Sequence, residues 1–207
     1  MACDFSRERA LRARGIFLVA GIDEAGRGPW AGPVVAAAVI LPEGFDARGL
    51  DDSKKLGPRR REALFDRICG EAEAVWSEVA AGEIDRLNIL RATHLAMARA
   101  VAALPRTPGH ALVDGLPVRG LPVPHTAVVG GDGLSLSIAA ASIVAKVARD
   151  RLMGELDAVY PQYGFCRHKG YGVPEHLEAL RKHGPCPAHR RSFAPVAQAA
   201  RARETAP

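Results

Sequence analysis

The chain has 207 residues, enough for one domain with its own hydrophobic core, so neither disulfides nor a structural metal is needed to hold it together. Hydrophobic residues at 48% and charged residues at 25% exclude a disordered, collagen-like or coiled-coil chain. The net charge is +5, and residues 133–207 hold 11 basic and 6 acidic side chains while residues 1–132 hold 17 of each. A basic excess confined to the last third points to an anionic partner, nucleic acid first, against the plain alternative of a solvated basic surface. No apolar run approaches the roughly 18–20 residues of a membrane span. Cys3, Cys69, Cys166 and Cys186 form no C-x-x-C pair and read as reduced thiols in a cytoplasmic protein. Arginines ahead of residues 15–22 loosely mimic a leader, but that stretch is short and runs into Asp23-Glu24, so export is not expected.

In chain order, residues 5–14 predict a short basic helix. The continuous apolar run 16–22 predicts a strand buried on both faces, ended by the glycines and proline of residues 23–29. A second strand follows over 33–41, then a polar loop over 50–58. A helix is predicted over 58–73, a third strand over 74–81 and one long helix over 84–104. Short strands at 111–115 and 125–129 each end near an acid. The segment 135–159 reads as a long helix, apolar all round in its first half and therefore buried. A shorter helix spans 174–183, and the Ala/Arg-rich tail after Phe193 reads as helix that frays at its end. Strands alternating with helices, the first three strands adjacent, predict an α/β domain on a mixed sheet, without repeats or a clear linker.

Four acids stand at or just beyond predicted strand ends: Asp23, Glu24, Asp114 and Asp132. Carboxylates converging on one sheet edge repel each other and raise each other's pKa, and a divalent cation removes that cost. Oxygen ligands without nearby cysteine or paired histidine favour Mg²⁺ or Mn²⁺ over Zn²⁺. Neighbours on a regular strand face opposite ways, so Asp23 and Glu24 approach one site only if the strand ends there, and Gly26 and Gly28 supply that ending. Each acid alone also reads as a helix or turn cap, Asp132 above all, since it lies three residues before Ser135. Read alone, Gly26 and Gly28 make a tight turn and Tyr171 a core aromatic. Lys54, Lys55, Lys146, Lys169, Arg190 and Arg191 are candidate phosphate contacts, Lys54 and Lys169 first because turn-forming residues surround them. Asp150 reads as an ion-pair partner. Cys166, His168, His183, Cys186 and His189 lie close in sequence, but their spacing matches no common zinc pattern.

Several blocks in order closely resemble bacterial type 2 ribonuclease H, the ribonuclease HII family. They are Val19-Ala-Gly-Ile-Asp-Glu-Ala-Gly-Arg-Gly-Pro-Trp-Ala-Gly-Pro, Asp52-Ser-Lys-Lys-Leu, Leu112-Val-Asp-Gly, Gly131-Asp, Ala139-Ala-Ala-Ser-Ile-Val-Ala-Lys-Val-Ala-Arg-Asp-Arg and His168-Lys-Gly-Tyr-Gly. The resemblance spans about residues 16–196. It implies the ribonuclease H-like fold, a five-stranded mixed sheet flanked by helices with a small helical C-terminal part, in a single catalytic domain over 1–207 whose last residues, 197–207, are a tail. It implies endonucleolytic cleavage of the RNA strand of RNA–DNA hybrids and at single ribonucleotides in duplex DNA, leaving 5′-phosphate and 3′-hydroxyl ends. Asp23, Glu24, Asp114 and Asp132 become the catalytic acids and metal ligands, and two cations about 4 Å apart serve an in-line displacement. Gly26, Arg27, Gly28 and Tyr171 become the residues that read the ribose and the sugar beside it. A monomer is expected.

One departure stands out: Gly130-Gly131 precedes Asp132 where the family usually places a lysine, so one cation near the site is missing. Two alternatives remain in view. A non-catalytic nucleic-acid-binding module would have lost an acid, and all four are present. Another nuclease of this fold, such as ribonuclease HIII, usually carries an extra N-terminal domain and a glutamate as fourth acid. Here about 15 residues precede the first strand and the fourth acid is Asp132.

Overall fold

The computed structural model describes residues 3–204. Helix α1 (Ser6–Arg12) leads into strands β1 (Val19–Ala25) and β2 (Val34–Ile40), then α2 (Pro58–Glu71) and β3 (Glu73–Val79). Two helices, α3 (Ala81–Leu87) and α4 (Ile89–Ala102), precede β4 (His110–Asp114) and β5 (His125–Val128). The chain ends in α5 (Leu136–Val159), α6 (Phe165–His168), α7 (Pro174–His183) and α8 (Ala194–Glu204). The strands form one mixed sheet in the order β3-β2-β1-β4-β5, antiparallel across β1, β2 and β3 and parallel from β1 through β4 to β5. This is the expected α/β architecture.

Two cores cover the faces of the sheet. On one face Ala36, Ala38 and Ile22 pack against Ala92, Ala96 and Met97 of α4. On the other, Ala37 and Val39 pack against Ile68 of α2 and Ile143 and Val144 of α5. The alanines of β2 are small enough for a helix to lie close on either side. Gly21 serves the same end on β1, since a Cβ there would run into the backbone of Ser137 in α5. Beyond the sheet, α7 and α8 pack through Leu180, Val196 and Ala199.

Three expectations change. The first strand begins at Val19 and runs regularly through Asp23 and Glu24 to Ala25, because Asp23 and Glu24 still pair with Ala37 and Ala36 of β2. The long helix expected over 84–104 is two helices, since Asn88 sits at φ +70° and its side chain accepts the Arg91 N–H at 3.1 Å, capping α4. The short α6 was not expected at all. The tail is helical to Glu204, and the fraying expected at its end falls on residues 205–207, outside the described residues.

Candidate active site

The strand register sorts the acids. Asp23 faces Ala37 and Glu24 faces Ala36, and those alanines belong to the cores on opposite faces of the sheet. Asp23 therefore points toward α5, where Ser142 hydrogen-bonds its carboxylate. Asp114, two residues after Leu112 on the adjacent parallel strand, lies on that face too. Its Oδ1 accepts the Gly131 N–H at 2.6 Å, which ties the end of β4 to the turn carrying Asp132. Carboxylate oxygens of Asp23, Asp114 and Asp132 all lie within 4.8 Å of one another, the one such metal-capable group of acids, histidines and cysteines among the described residues. Glu24 stands apart from these three, on the other side of the strand end, with its Oε1 3.3 Å from Arg27 Nη1. The expected strand end at Asp23-Glu24 is thus replaced by a regular strand whose alternation places the two acids on either side of one rim. All the same, both line one open cleft of about 370 Å³, together with Gly26, Arg27, Lys54 and Tyr171.

Crowding leaves its mark on the carboxyls. Burial, then Glu24 and Asp114, push Asp23 well above the usual carboxylate range. Burial likewise raises Asp132, helped by Asp114 and Asp52 and opposed by Lys54. Glu24 is also raised by burial, with Arg27 opposing. The cap reading of Asp132 fails, because Ser135 caps α5 by accepting the Ile138 N–H at 3.3 Å, while Asp132 sits in the preceding 3₁₀ turn, Gly131–Gly133. Lys54 Nζ lies 3.4 Å from Asp132 Oδ2 and brings a cation to the acids from the turn at residues 53–55. Gly130 has its φ at +66° and open space where a side chain would start, so nothing packs there. Asp23, Ser142 and Ser53 form a buried chain, with the Ser142 hydroxyl 2.8 Å from that of Ser53, which anchors the turn carrying Lys54 beneath the acids.

The turn after β1 rests on two buried guanidiniums. Arg190 donates to the carbonyls of Gly26 (2.6 Å), Arg27 (2.9 Å) and Gly32 (3.0 Å). Arg149 donates to those of Pro33 (3.0 Å), Ala31 (3.3 Å) and Lys169 (3.0 Å). Gly26 has φ +93°, and a Cβ there would collide with the Arg149 side chain, so only glycine fits. Burial and the neighbouring Arg149 draw Arg190 down to about 9, still charged at neutral pH. The segment carrying Tyr171 docks onto this turn: Gly170 accepts the Trp30 N–H at 2.8 Å, and the Tyr171 ring comes within 3.7 Å of the Cβ position of Gly28. Tyr171 is 48% exposed, which rules out a core aromatic.

Behind Tyr171 lie stacked, buried imidazoles whose hydrogen bonds fix their tautomers. His176 Nδ1 donates to the Tyr171 carbonyl at 2.8 Å, so its Nε2 accepts from His189 Nε2 at 3.0 Å. His189 Nδ1 then accepts the Cys186 N–H at 3.0 Å, with the Cys186 thiol at 3.2 Å. Burial holds His176 down to about 4 and His189 to about 3. His168 stacks on His176 and accepts the Gly170 N–H at 3.2 Å. The histidines and cysteines once weighed for zinc are therefore divided between this packed support and the surface, where Cys166 lies exposed.

Comparison with known proteins decides the family. The family model described as Ribonuclease HII matches residues 20–196. The chain belongs to the ribonuclease HII family. It is 58% identical over 198 residues to Ribonuclease HII of Geobacillus kaustophilus, an alignment covering 95% of this chain and 76% of that one. It is 60% identical over 195 residues to Ribonuclease HII of Rhodopseudomonas palustris strain BisA53, covering 94% and 70%. Among solved structures, ribonuclease H2 from Pyrococcus horikoshii superposes with a TM-score of 0.78 at 29% identity, covering 91% of this chain and 99% of that one. The protein is a metal-dependent endonuclease of ribonuclease H type, acting on RNA–DNA hybrids; incision at embedded ribonucleotides and a two-metal mechanism accord with the family.

Around the cleft the candidate phosphate contacts separate. Lys54 and Lys146 line the cleft, though Lys146 is paired with Asp150 at 2.7 Å, the partner role expected of that acid. Lys55 is paired with Asp51 at 2.9 Å. Lys169, at φ +52°, lies around the corner in a hollow shared with Lys146, Arg151 and Arg167. Arg190 is not a phosphate contact: it is wholly buried and spent on three backbone carbonyls. Arg191 is exposed beside α3, its N–H on Asp85 at 2.9 Å. Sequence reasoning missed Ser53, Ser142, Arg149 and His176 as supports of the site. Ser53, Ser142 and Arg149 lie within the family blocks, the one signal that could have pointed to them, whereas His176 lies outside those blocks.

Proposed function

We propose that Asp23, Glu24, Asp114 and Asp132 form the catalytic centre and hold Mg²⁺ or Mn²⁺, two ions during turnover. The observation that carries this reading is the convergence of three carboxylates within 4.8 Å, with Lys54 in ion-pair contact with Asp132. Such a donor set is all hard oxygen, which fits these ions. When bound, divalent cations supply an activated water and relieve charge on the phosphate. The protein's own part is to hold the ligands still: the Gly131 N–H fixes Asp114, Ser142 fixes Asp23, and Arg27 fixes Glu24 at the rim. The Gly26-Arg27-Gly28 turn, kept in shape by Arg190, offers backbone groups to a ribose 2′-hydroxyl, the group that separates RNA from DNA. Tyr171 packs against the neighbouring deoxyribose, and Lys54 and Lys169 meet phosphates. The products carry 5′-phosphate and 3′-hydroxyl ends. The chain works as a monomeric single catalytic domain over residues 1–207 in the cytoplasm; no helix among the described residues is long and apolar enough to cross a membrane.

The test offers the protein a full RNA–DNA hybrid and a DNA duplex with one ribonucleotide, with Mg²⁺ and then Mn²⁺. Both are cut by wild type. Tyr171→Ala loses about 10- to 100-fold in kcat/KM on the single-ribonucleotide duplex and less on the hybrid, the value of a packed sugar–aromatic contact. Equal losses on both substrates would remove Tyr171 from junction reading.

A further inference from the structure

The residue count calls the first two thirds of the chain neutral, yet its charges are not evenly spread. At the N-terminal end of α4, a hollow of about 780 Å³ opens between that helix and the loop after β4, lined by Arg91, His94, Arg119, Leu90 and Leu116, and no acid lines it. Arg91 and Arg119 are exposed, and among the described residues neither has a carboxylate within ion-pair distance. By contrast, Arg99, two turns along α4, is paired with Glu83 at 3.1 Å. The chain thus leaves cations free at one end of this helix and neutralises the next. Leu90 and Leu116 are 51% and 75% exposed, apolar surface of the kind a sugar edge can lie against.

The position of the hollow is as telling as its charge. The loop that forms one wall begins directly after Asp114, and α4 covers the sheet face toward which Glu24 points. Arg27 at the cleft lies close enough to act on His94; burial, Arg27 and Arg119 together hold that imidazole below its ordinary value. The Arg119 N–H reaches His94 Nδ1 at 3.4 Å. A cationic track therefore continues from the acids, over Arg27, to Arg119 and Arg91, with the neutral His94 between them, and the positive end of the α4 dipole adds to it.

We infer that this hollow binds the phosphate backbone of the substrate duplex on the flank that extends past the cleaved bond toward α4, with Arg91 and Arg119 as its phosphate contacts. The inference rests on the ribonuclease reading of the cleft, since it is that substrate whose flank lies here. It assigns a basic surface to the part of the sequence whose net charge is zero, separate from the basic last third.

The test is the binding of fluorescently labelled RNA–DNA hybrids to the full chain in EDTA across a salt series. One hybrid is centred on the scissile site and long on both sides; two others are trimmed on one side each. For Arg91→Gln/Arg119→Gln the slope of log Kd against log salt flattens by about two on the long hybrid, and affinity at low salt falls roughly tenfold. The same loss appears on one trimmed hybrid and shrinks on the other, which lacks the flank facing α4. Arg91→Lys/Arg119→Lys restores the slope, because a phosphate needs only the charge. An unchanged slope in the glutamine variant overturns the inference, as does an equal loss on all three hybrids or a failure of the lysine variant to restore it. Cleavage of the same hybrids by wild type with Mg²⁺ is measured alongside. Its absence would overturn the ribonuclease reading, whereas normal cleavage with an unchanged slope overturns the duplex-flank inference alone.

Discussion

Two sets of buried charge flank the turn at residues 26–33, and they are settled in opposite ways. On one side Asp23, Asp114 and Asp132 crowd together within 4.8 Å, their repulsion relieved only in part by Lys54. On the other, Arg149 and Arg190 are equally buried and, among the described residues, make no ion pair, yet each donates to three backbone carbonyls, with Asp150 and Asp85 acting from further off. The acids are an unfinished set, which a bound cation would complete; the guanidiniums already have protein partners. Burial of charge alone does not mark a functional group. What distinguishes the two is whether the protein itself supplies the partners. The neutral imidazoles behind Tyr171 are a third answer, in which burial removes the charge altogether.

The comparison breaks most sharply at Asp114. Asp114→Asn keeps the shape and removes a negative ligand, so cleavage with Mg²⁺ falls by at least about 10³-fold, some 4 kcal/mol of barrier, while the fold is kept. Single-turnover cleavage and a thermal melt measure both; activity within tenfold of wild type would show that the acidic set is complete without this ligand. Arg190→Ala tests the guanidinium set. It strands the carbonyls of Gly26, Arg27 and Gly32, and stability in urea falls by about 3–5 kcal/mol. A loss below about 1 kcal/mol would mean that water serves those carbonyls as well as the guanidinium does.

The imidazoles answer to pH and leave the established reaction least touched. His176 and His189 have folded values of about 4 and about 3, below the ordinary 6.5. Between those limits the unfolded chain binds more protons than the folded one, so stability is full above about pH 6.5 and is lost as pH falls. Each histidine contributes up to about 1.4 kcal/mol per pH unit to that loss. Melting temperatures from pH 7 to pH 4 follow it, and His176→Asn/His189→Gln flattens the profile. A wild-type melt independent of pH across this range would show that the imidazoles take up protons in place.

Much of the fold was legible because it rests on local regularities. The apolar run of β2, the all-round apolar first half of α5 and the strands ending near Asp114 and Asp132 follow from periodicity and punctuation that the chain carries in itself. The break at Asn88 was not legible, since Leu87 and Leu90 continue a helical period across it and only a left-handed backbone with a side-chain cap divides the helices.

The sequence also offered the four acids, the turn and the tyrosine as candidates, through the family's blocks. Their arrangement it did not offer. Sequence order put Asp23 and Glu24 side by side, and the strand's alternation set them on opposite faces, because pairing with β2 persists to Ala25. Sequence also left Arg190 among the surface cations. Its burial follows from contact with residues more than 150 positions earlier, whose carbonyls no neighbour in the chain could have announced. Composition and local pattern fix which groups the molecule owns and which segments are strand or helix. Which of those groups meet, and which are left without partners, depends on distances between residues far apart in the chain, and folding alone sets those.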